Sequence, residues 1–129
     1  MSYIALVLDE QSKLELLKRC SPKHSKVFAH HITLVFSPTA EVRRRFVDFL
    51  GKREFFEICV EVSDSKGHAV SVKLGDELPC YNNQPHVTIS CAEGTKPVYS
   101  NELLKRMDGT YESKDLGNVT LCGTVQECN

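Results

Sequence analysis

Two stretches of the chain share one pattern of residue types, His31-Ile32-Thr33-Leu34 and His86-Val87-Thr88-Ile89, each set in a run that alternates between polar and apolar positions. Side chains alternate across a β-strand, so His31, Thr33 and Val35 fall on one face, with Ile32, Leu34 and Phe36 on the other. The second run places His86, Thr88 and Ser90 opposite Val87, Ile89 and Cys91. One face of each strand is suited to a core, and the other presents an imidazole beside a hydroxyl. Residues two apart on a strand are separated by about 6.6 Å, close enough to reach neighbouring oxygens of one phosphate. Two such pairs facing each other would form a small symmetric anion site. A single His-x-Thr carries little weight, because Thr is common in strands. Two copies with apolar flanks would arise by chance in roughly 0.1% of chains of this composition.

This residue set suits in-line substitution at a phosphodiester, which needs a base for the attacking water and an acid for the departing sugar oxygen, on opposite sides of phosphorus. Two histidines supply both roles, since an unperturbed pKa near 6.5 lets one be neutral while the other is protonated. Thr33 and Thr88 would donate hydrogen bonds to the non-bridging oxygens as charge builds. Which histidine is base and which is acid stays open in the sequence.

The elements that must hold these residues follow from periodicity. A strand is expected over 3–9 and an amphipathic helix over 9–20, with Leu14, Leu16 and Leu17 set among charges. Residues 31–36 form a strand closed by Ser37 and Pro38. A helix over 41–52 carries Val42, Phe46, Phe49 and Leu50 and stops at Gly51. Residues 54–76 read as a hairpin turning near Asp64 to Gly67, and 86–91 as a further strand. A helix over 96–107 could be capped by Ser100, and 110–128 reads as a final pair of strands. Each His-x-Thr strand is followed by a helix, which suggests two related halves. The expected class is α+β with antiparallel sheet.

The 129 residues fit one domain spanning 1–129, and 41% hydrophobic with 26% charged residues is a globular composition. The N-terminal apolar run has no basic residue before it and acids after it, which fits neither a signal peptide nor a membrane span. A cytoplasmic or otherwise intracellular location is expected, with the six cysteines reduced. No Cys-x-x-Cys pair or zinc-type spacing is present, so neither a metal nor a cofactor is expected. A net charge of −1 and a pI of about 6.5 exclude a global field that would draw the protein onto long nucleic acid. An RNA partner would be met through a small part only.

The paired motifs resemble the signature of the two-histidine (2H) phosphoesterase superfamily, and the 55-position separation of His31 and His86 is compatible with it. The stretch GTKPVYSNELL (94–104) is similar to the one that follows the second motif in the cyclic phosphodiesterase domain of tRNA-ligase-type RNA repair enzymes. The resemblance covers the whole chain in element order. It implies a bilobal fold, with antiparallel sheets from two pseudo-symmetric halves flanking a central cleft. It also implies metal-independent chemistry with His31 and His86 catalytic and Thr33 and Thr88 binding phosphate. The substrate implied is an RNA end with a 2′,3′-cyclic phosphate, and the expected product is a 2′-phosphate. An RNA end, a small oligonucleotide or a cyclic nucleotide would be the partner of a monomer, with no membrane involved.

Other residues are more ambiguous. Tyr81 could stack on a nucleobase or pack on the surface. Lys23, His24 and Lys26 form a basic loop that could touch substrate phosphates or be merely solvated. His30 should point away from His31 as a structural residue, and His68 should be a solvated loop residue. Arg43, Arg44 and Arg45 read as a wet helical face. Two rival functions remain: a phosphodiesterase degrading 2′,5′-linked or cyclic oligonucleotide signals, and a non-catalytic module gripping a phosphorylated RNA end.

Overall fold

A computed structural model of the chain describes residues 2–106 and 111–129. Position 107 of the expected third helix and position 110 of the expected last strand pair lie outside these residues. The element order is β1 (Tyr3–Leu8), α1 (Glu10–Arg19), β2 (Lys26–Val27), β3 (His31–Phe36), α2 (Ala40–Arg44), β4 (Arg53–Ser63), β5 (Gly67–Leu74), β6 (His86–Cys91), α3 (Tyr99–Lys105) and β7 (Glu112–Cys128).

The strands close on themselves. β1 lies between β3 and β7, β7 continues to β4, β4 to β5 and β5 to β6, and β6 returns to β3 through Ile32 opposite Val87. Every pairing is antiparallel, and short β2 is added to β6. The protein is therefore mostly β, a closed six-stranded antiparallel barrel with one extra strand. This corrects the expected α+β bilobal fold of two pseudo-symmetric halves. Closure comes from β6, which bonds a neighbour on each edge, and from the 17-residue β7, which pairs with both β1 and β4 and joins the regions read as separate halves. The helices, of 10, 5 and 7 residues, are too short to form a layer of their own.

Alternation explains the core. Ile4, Leu6, Ile32, Leu34, Phe56, Ile58, Val87 and Ile89 project into one buried cluster, joined by Leu16 of α1 and Phe46 after α2. Each such side chain contributes about 1.5–3 kcal/mol by leaving water. The expected helix over 41–52 regularises only through Arg44, beyond which bonds such as Phe46 N to Arg43 O and Phe49 N to Phe46 O tighten the backbone. Thr39 caps its start, accepting from the Val42 amide at 3.1 Å. The 64–67 turn is as expected, with the Asp64 carboxylate accepting from the amides of Lys66 and Gly67 at 2.9 Å each.

Residues 110–128 do not make a pair of strands. Gly117 and Asn118, which resemble a hairpin turn in sequence, have φ of 72° and 55° but sit inside β7. There they form a bulge where the β4 register jumps from Ile58 opposite Val119 to Val60 opposite Asp115. Further along β7, Gly123 is required by a close approach. A Cβ there would lie 2.6 Å from the Val7 carbonyl oxygen and 3.1 Å from Leu6 Cγ. Gly123→Ala should therefore destabilise the protein by about 1–3 kcal/mol, read as a lower urea midpoint at unchanged slope. An unchanged midpoint would contradict the packing of β1 on β7.

His68 is a second correction. It is fully buried on β5 rather than solvated, because its ring is satisfied on both sides: Nε2 lies 2.6 Å from Glu61 Oε2 and Nδ1 3.0 Å from Ser90 Oγ. Burial pushes its pKa down, opposed by Glu61.

Candidate active site

The two His-x-Thr strands enter one cleft. β3 and β6 are barrel neighbours whose buried faces carry Ile32, Leu34, Val87 and Ile89, so the opposite faces turn His31, Thr33, His86 and Thr88 outward together. All four line a cleft of about 1240 Å³. The rest of its lining includes Tyr3, Phe28, His30, Phe36, Lys66, residues 81–84 and the segment 94–105 with α3.

The partners of each imidazole fix which nitrogen is left for chemistry. His86 Nδ1 lies 2.8 Å from the Gln84 carbonyl oxygen. A carbonyl only accepts, so Nδ1 carries a hydrogen and Nε2 is the nitrogen free to exchange a proton. His31 Nδ1 lies 2.9 Å from His30 Nδ1, and in the tautomer in which His31 is the donor its Nε2 is left with a free lone pair. Tyr3 packs on the His31 ring with centroids 5.1 Å apart. Burial pushes the His31 pKa down to about 4, with further lowering by the neighbouring His30 and His86. Burial also lowers His86, but its bond to the Gln84 carbonyl works the other way by stabilising the imidazolium.

The threonines differ from each other. The Thr33 hydroxyl has no hydrogen-bond partner among the described residues and faces the cleft. Thr88 Oγ1 lies 2.8 Å from the hydroxyl of Ser100, with the Pro97 carbonyl at 3.4 Å. Ser100 is not the cap of α3: Val98 occupies that position, and Ser100 sits inside the helix, buried against Thr88.

His30 does not turn away from the cleft. It lines it, with its ring edge-on to that of His31 at 5.1 Å. Regular alternation begins only at His31, because Ala29 has a φ of 51° and the chain from Phe28 to Ala29 is tied to β6 through the carbonyls of Ile89 and Thr88. Position 30 therefore precedes the alternating strand, which corrects the expectation that His30 points away from His31.

The other candidates separate cleanly. Tyr81 lines the cleft, and it also packs 6.3 Å from the Phe46 ring and accepts from Arg45 Nη1 at 3.0 Å. Lys23, His24 and Lys26 do not line the cleft. Lys23 Nζ donates to Ser63 and pairs with Glu112, and Lys26 pairs with Glu93. His24 Nε2 reaches the Asp64 carbonyl at 2.9 Å. The same loop donates its Lys23 and His24 amides to Ser90, which closes off the strand face beyond Thr88. Arg43 is a surface residue paired with Glu127. Among the described residues, no group of three His, Cys, Asp or Glu side chains is placed to hold a metal ion. No helix among them is long and apolar enough to cross a membrane.

The family model described as the fungal tRNA ligase phosphodiesterase domain matches residues 53–127, more than half of the chain. That span includes His86 and Thr88 but not His31 and Thr33. No curated protein matches in sequence. Among solved structures, a fungal RNA kinase is similar over 98% of this chain with a TM-score of 0.67 at 20% identity. The chain spans 45% of that protein's length, and at this identity the likeness concerns the fold.

Proposed function

The chain belongs to the fungal tRNA ligase phosphodiesterase domain family, and from that premise we propose that its cleft hydrolyses RNA 2′,3′-cyclic phosphate ends to 2′-phosphates without a metal. The observation that carries this reading is the convergence of His31, Thr33, His86 and Thr88 from neighbouring strands on one cleft.

His31 is the general base, because burial and two neighbouring imidazoles keep it neutral. Its Nε2 takes a proton from water as the water oxygen bonds to phosphorus. His86 is the general acid, because the Gln84 carbonyl stabilises its imidazolium. Its Nε2 gives a proton to the 3′ oxygen as the 3′ O–P bond breaks, leaving a 3′ hydroxyl and a 2′-phosphate. One proton is taken up and one released, and exchange with solvent resets the pair. Thr33 and Thr88 donate to the non-bridging oxygens.

To donate to phosphate, Thr88 must turn its one hydrogen away from the Pro97 carbonyl, and Ser100 must then be the donor in their shared 2.8 Å bond, which makes Ser100 a positioning residue. Thr33→Val and Thr88→Val should each cost on the order of 1–3 kcal/mol in kcat/KM, and Ser100→Ala about 0.5–1.5. A double-mutant cycle should show Ser100→Ala adding little once Thr88 is Val. Full additivity would separate Ser100 from the site.

The reading is tested with a substrate panel in EDTA: RNA ending in a 2′,3′-cyclic phosphate, a 2′,5′-linked oligonucleotide and a cyclic oligonucleotide. Cleavage of the first, undiminished by chelation, is expected, since the two imidazoles do the proton transfers and no Lewis acid is required. Selective cleavage of either of the others would reassign the protein to degrading oligonucleotide signals. Binding of the phosphorylated RNA end without turnover of any would make it a non-catalytic module. Activity lost in EDTA and restored by a divalent cation would end the metal-free mechanism.

A further inference from the structure

We propose that the α3 side of the cleft is a track for the RNA chain leading to the reacting end, with Lys66, Lys96 and Lys105 meeting its backbone phosphates. The proposal rests on reading the cleft as a phosphodiesterase site, and it specifies the substrate as a polynucleotide terminus rather than a mononucleotide.

The cleft is chemically divided. Part of its lining is Tyr3, Phe28, Phe36 and Tyr81 with the side-chain amides 82–84, groups that stack on bases and hydrogen-bond their edges. Around α3, three lining lysines come from separate places: Lys66 from the β4–β5 turn, over the Tyr99 ring, Lys96 from the segment before α3, and Lys105 from its last residue. All three are exposed. The whole chain has a net charge of −1, so this concentration of positive charge is local and not a by-product of a basic protein.

Acids that would otherwise neutralise these lysines are engaged elsewhere. Asp64, beside Lys66, accepts from the hydroxyl of Tyr99 at 2.5 Å, from two backbone amides and from the guanidinium of Arg106. Glu93 is turned to Lys26, and Glu112 to Lys23. Among the described residues lining the cleft, Glu102 is the one carboxylate facing the three lysines. Lys66 Nζ sits 5.9 Å from the centroid of the Tyr99 ring, a loose contact that leaves the ammonium available to a phosphate. Lys23, Lys26 and Arg106, none of which lines the cleft, thus hold these acids.

The test compares kcat/KM for an RNA hexamer ending in a 2′,3′-cyclic phosphate with that for the corresponding cyclic mononucleotide. The ratio should fall about 10–100-fold in K66A/K96A/K105A, chiefly through KM of the hexamer. It should hold in K66R/K96R/K105R, and in the charge-matched control K13A/K18A/K52A outside the cleft. The hexamer KM of the parent protein should rise with salt, and the slope should drop by about 2 in the alanine variant, as expected for three single-strand phosphate contacts. A ratio and slope unchanged by the alanine variant would overturn the track. Anisotropy with a 2′-phosphate-ended hexamer reads the same contrast without turnover, so an inactive parent protein would sink the catalytic reading while the track is still decided by binding.

Discussion

Replacing either His31 or His86 by alanine should lower kcat by roughly 10²–10⁴ while substrate binding changes far less. In the proposed mechanism each imidazole transfers a proton only as bonds to phosphorus form and break, so its loss is felt in the transition state. The binding contacts assigned to Thr33, Thr88 and the cleft walls remain. The double variant should be little worse than either single one, because base and acid act as a unit and losing one removes most of the benefit of the other. Both rings are only half-buried, so neither substitution opens a core cavity, and circular dichroism should show folded proteins. Folded single variants that cleave at the parent rate would remove these histidines from the chemistry.

The second large effect is on pH. With His31 as the proposed base, which must be neutral, kcat/KM should rise with pH through the His31 pKa, pushed down to about 4 by burial, His30 and His86. The acid must be protonated, so kcat/KM falls as pH rises through the His86 pKa, which burial holds below its ordinary 6.5. A bell with its maximum between about 4 and 6.5 is expected, and the alkaline limb should fall about 100-fold from pH 6.5 to 8.5 at one decade per unit. The two apparent values belong to the pair. Tyr3, His30 and His86 are the titratable groups described around His31. His30→Gln removes a neighbouring imidazole that lowers the His31 pKa and should move the acid limb to higher pH. A flat profile from pH 5 to 9, or an acid limb unmoved by His30→Gln, would contradict the assignment.

The His-x-Thr strands were legible because both signals are local: alternation fixes the faces, and residue type fixes the chemistry. The tRNA-ligase-type resemblance rested on the same residues and on 94–104, and the family match supports it. Barrel closure was hidden because it depends on β6 pairing with both β3 and β5, contacts that no local pattern encodes. The strand–helix alternation was read as two halves, although β7 runs through both as one element. Asn118 and Gly117 carry turn propensity that tertiary pairing converts into a bulge. His68 lies next to a turn in sequence, yet Glu61 and Ser90 supply the partners that let it be buried. His30 was misplaced by extending alternation one residue beyond the start of the strand. Ser100 looked like a cap, whereas its partner is Thr88, twelve positions away. Lys66, Lys96 and Lys105 gave no signal, since isolated lysines spread over 40 positions resemble any solvated surface until the fold brings them to one cleft.

The most direct test is to follow hydrolysis of a short RNA ending in a 2′,3′-cyclic phosphate by phosphorus NMR, with the parent protein and with H31A/H86A. The account predicts conversion of the cyclic signal to a 2′-phosphate monoester by the parent protein, and a cyclic signal that persists with the double variant. A cyclic phosphate left intact by the parent protein, a 3′-phosphate as the product, or equal conversion by both proteins would contradict it.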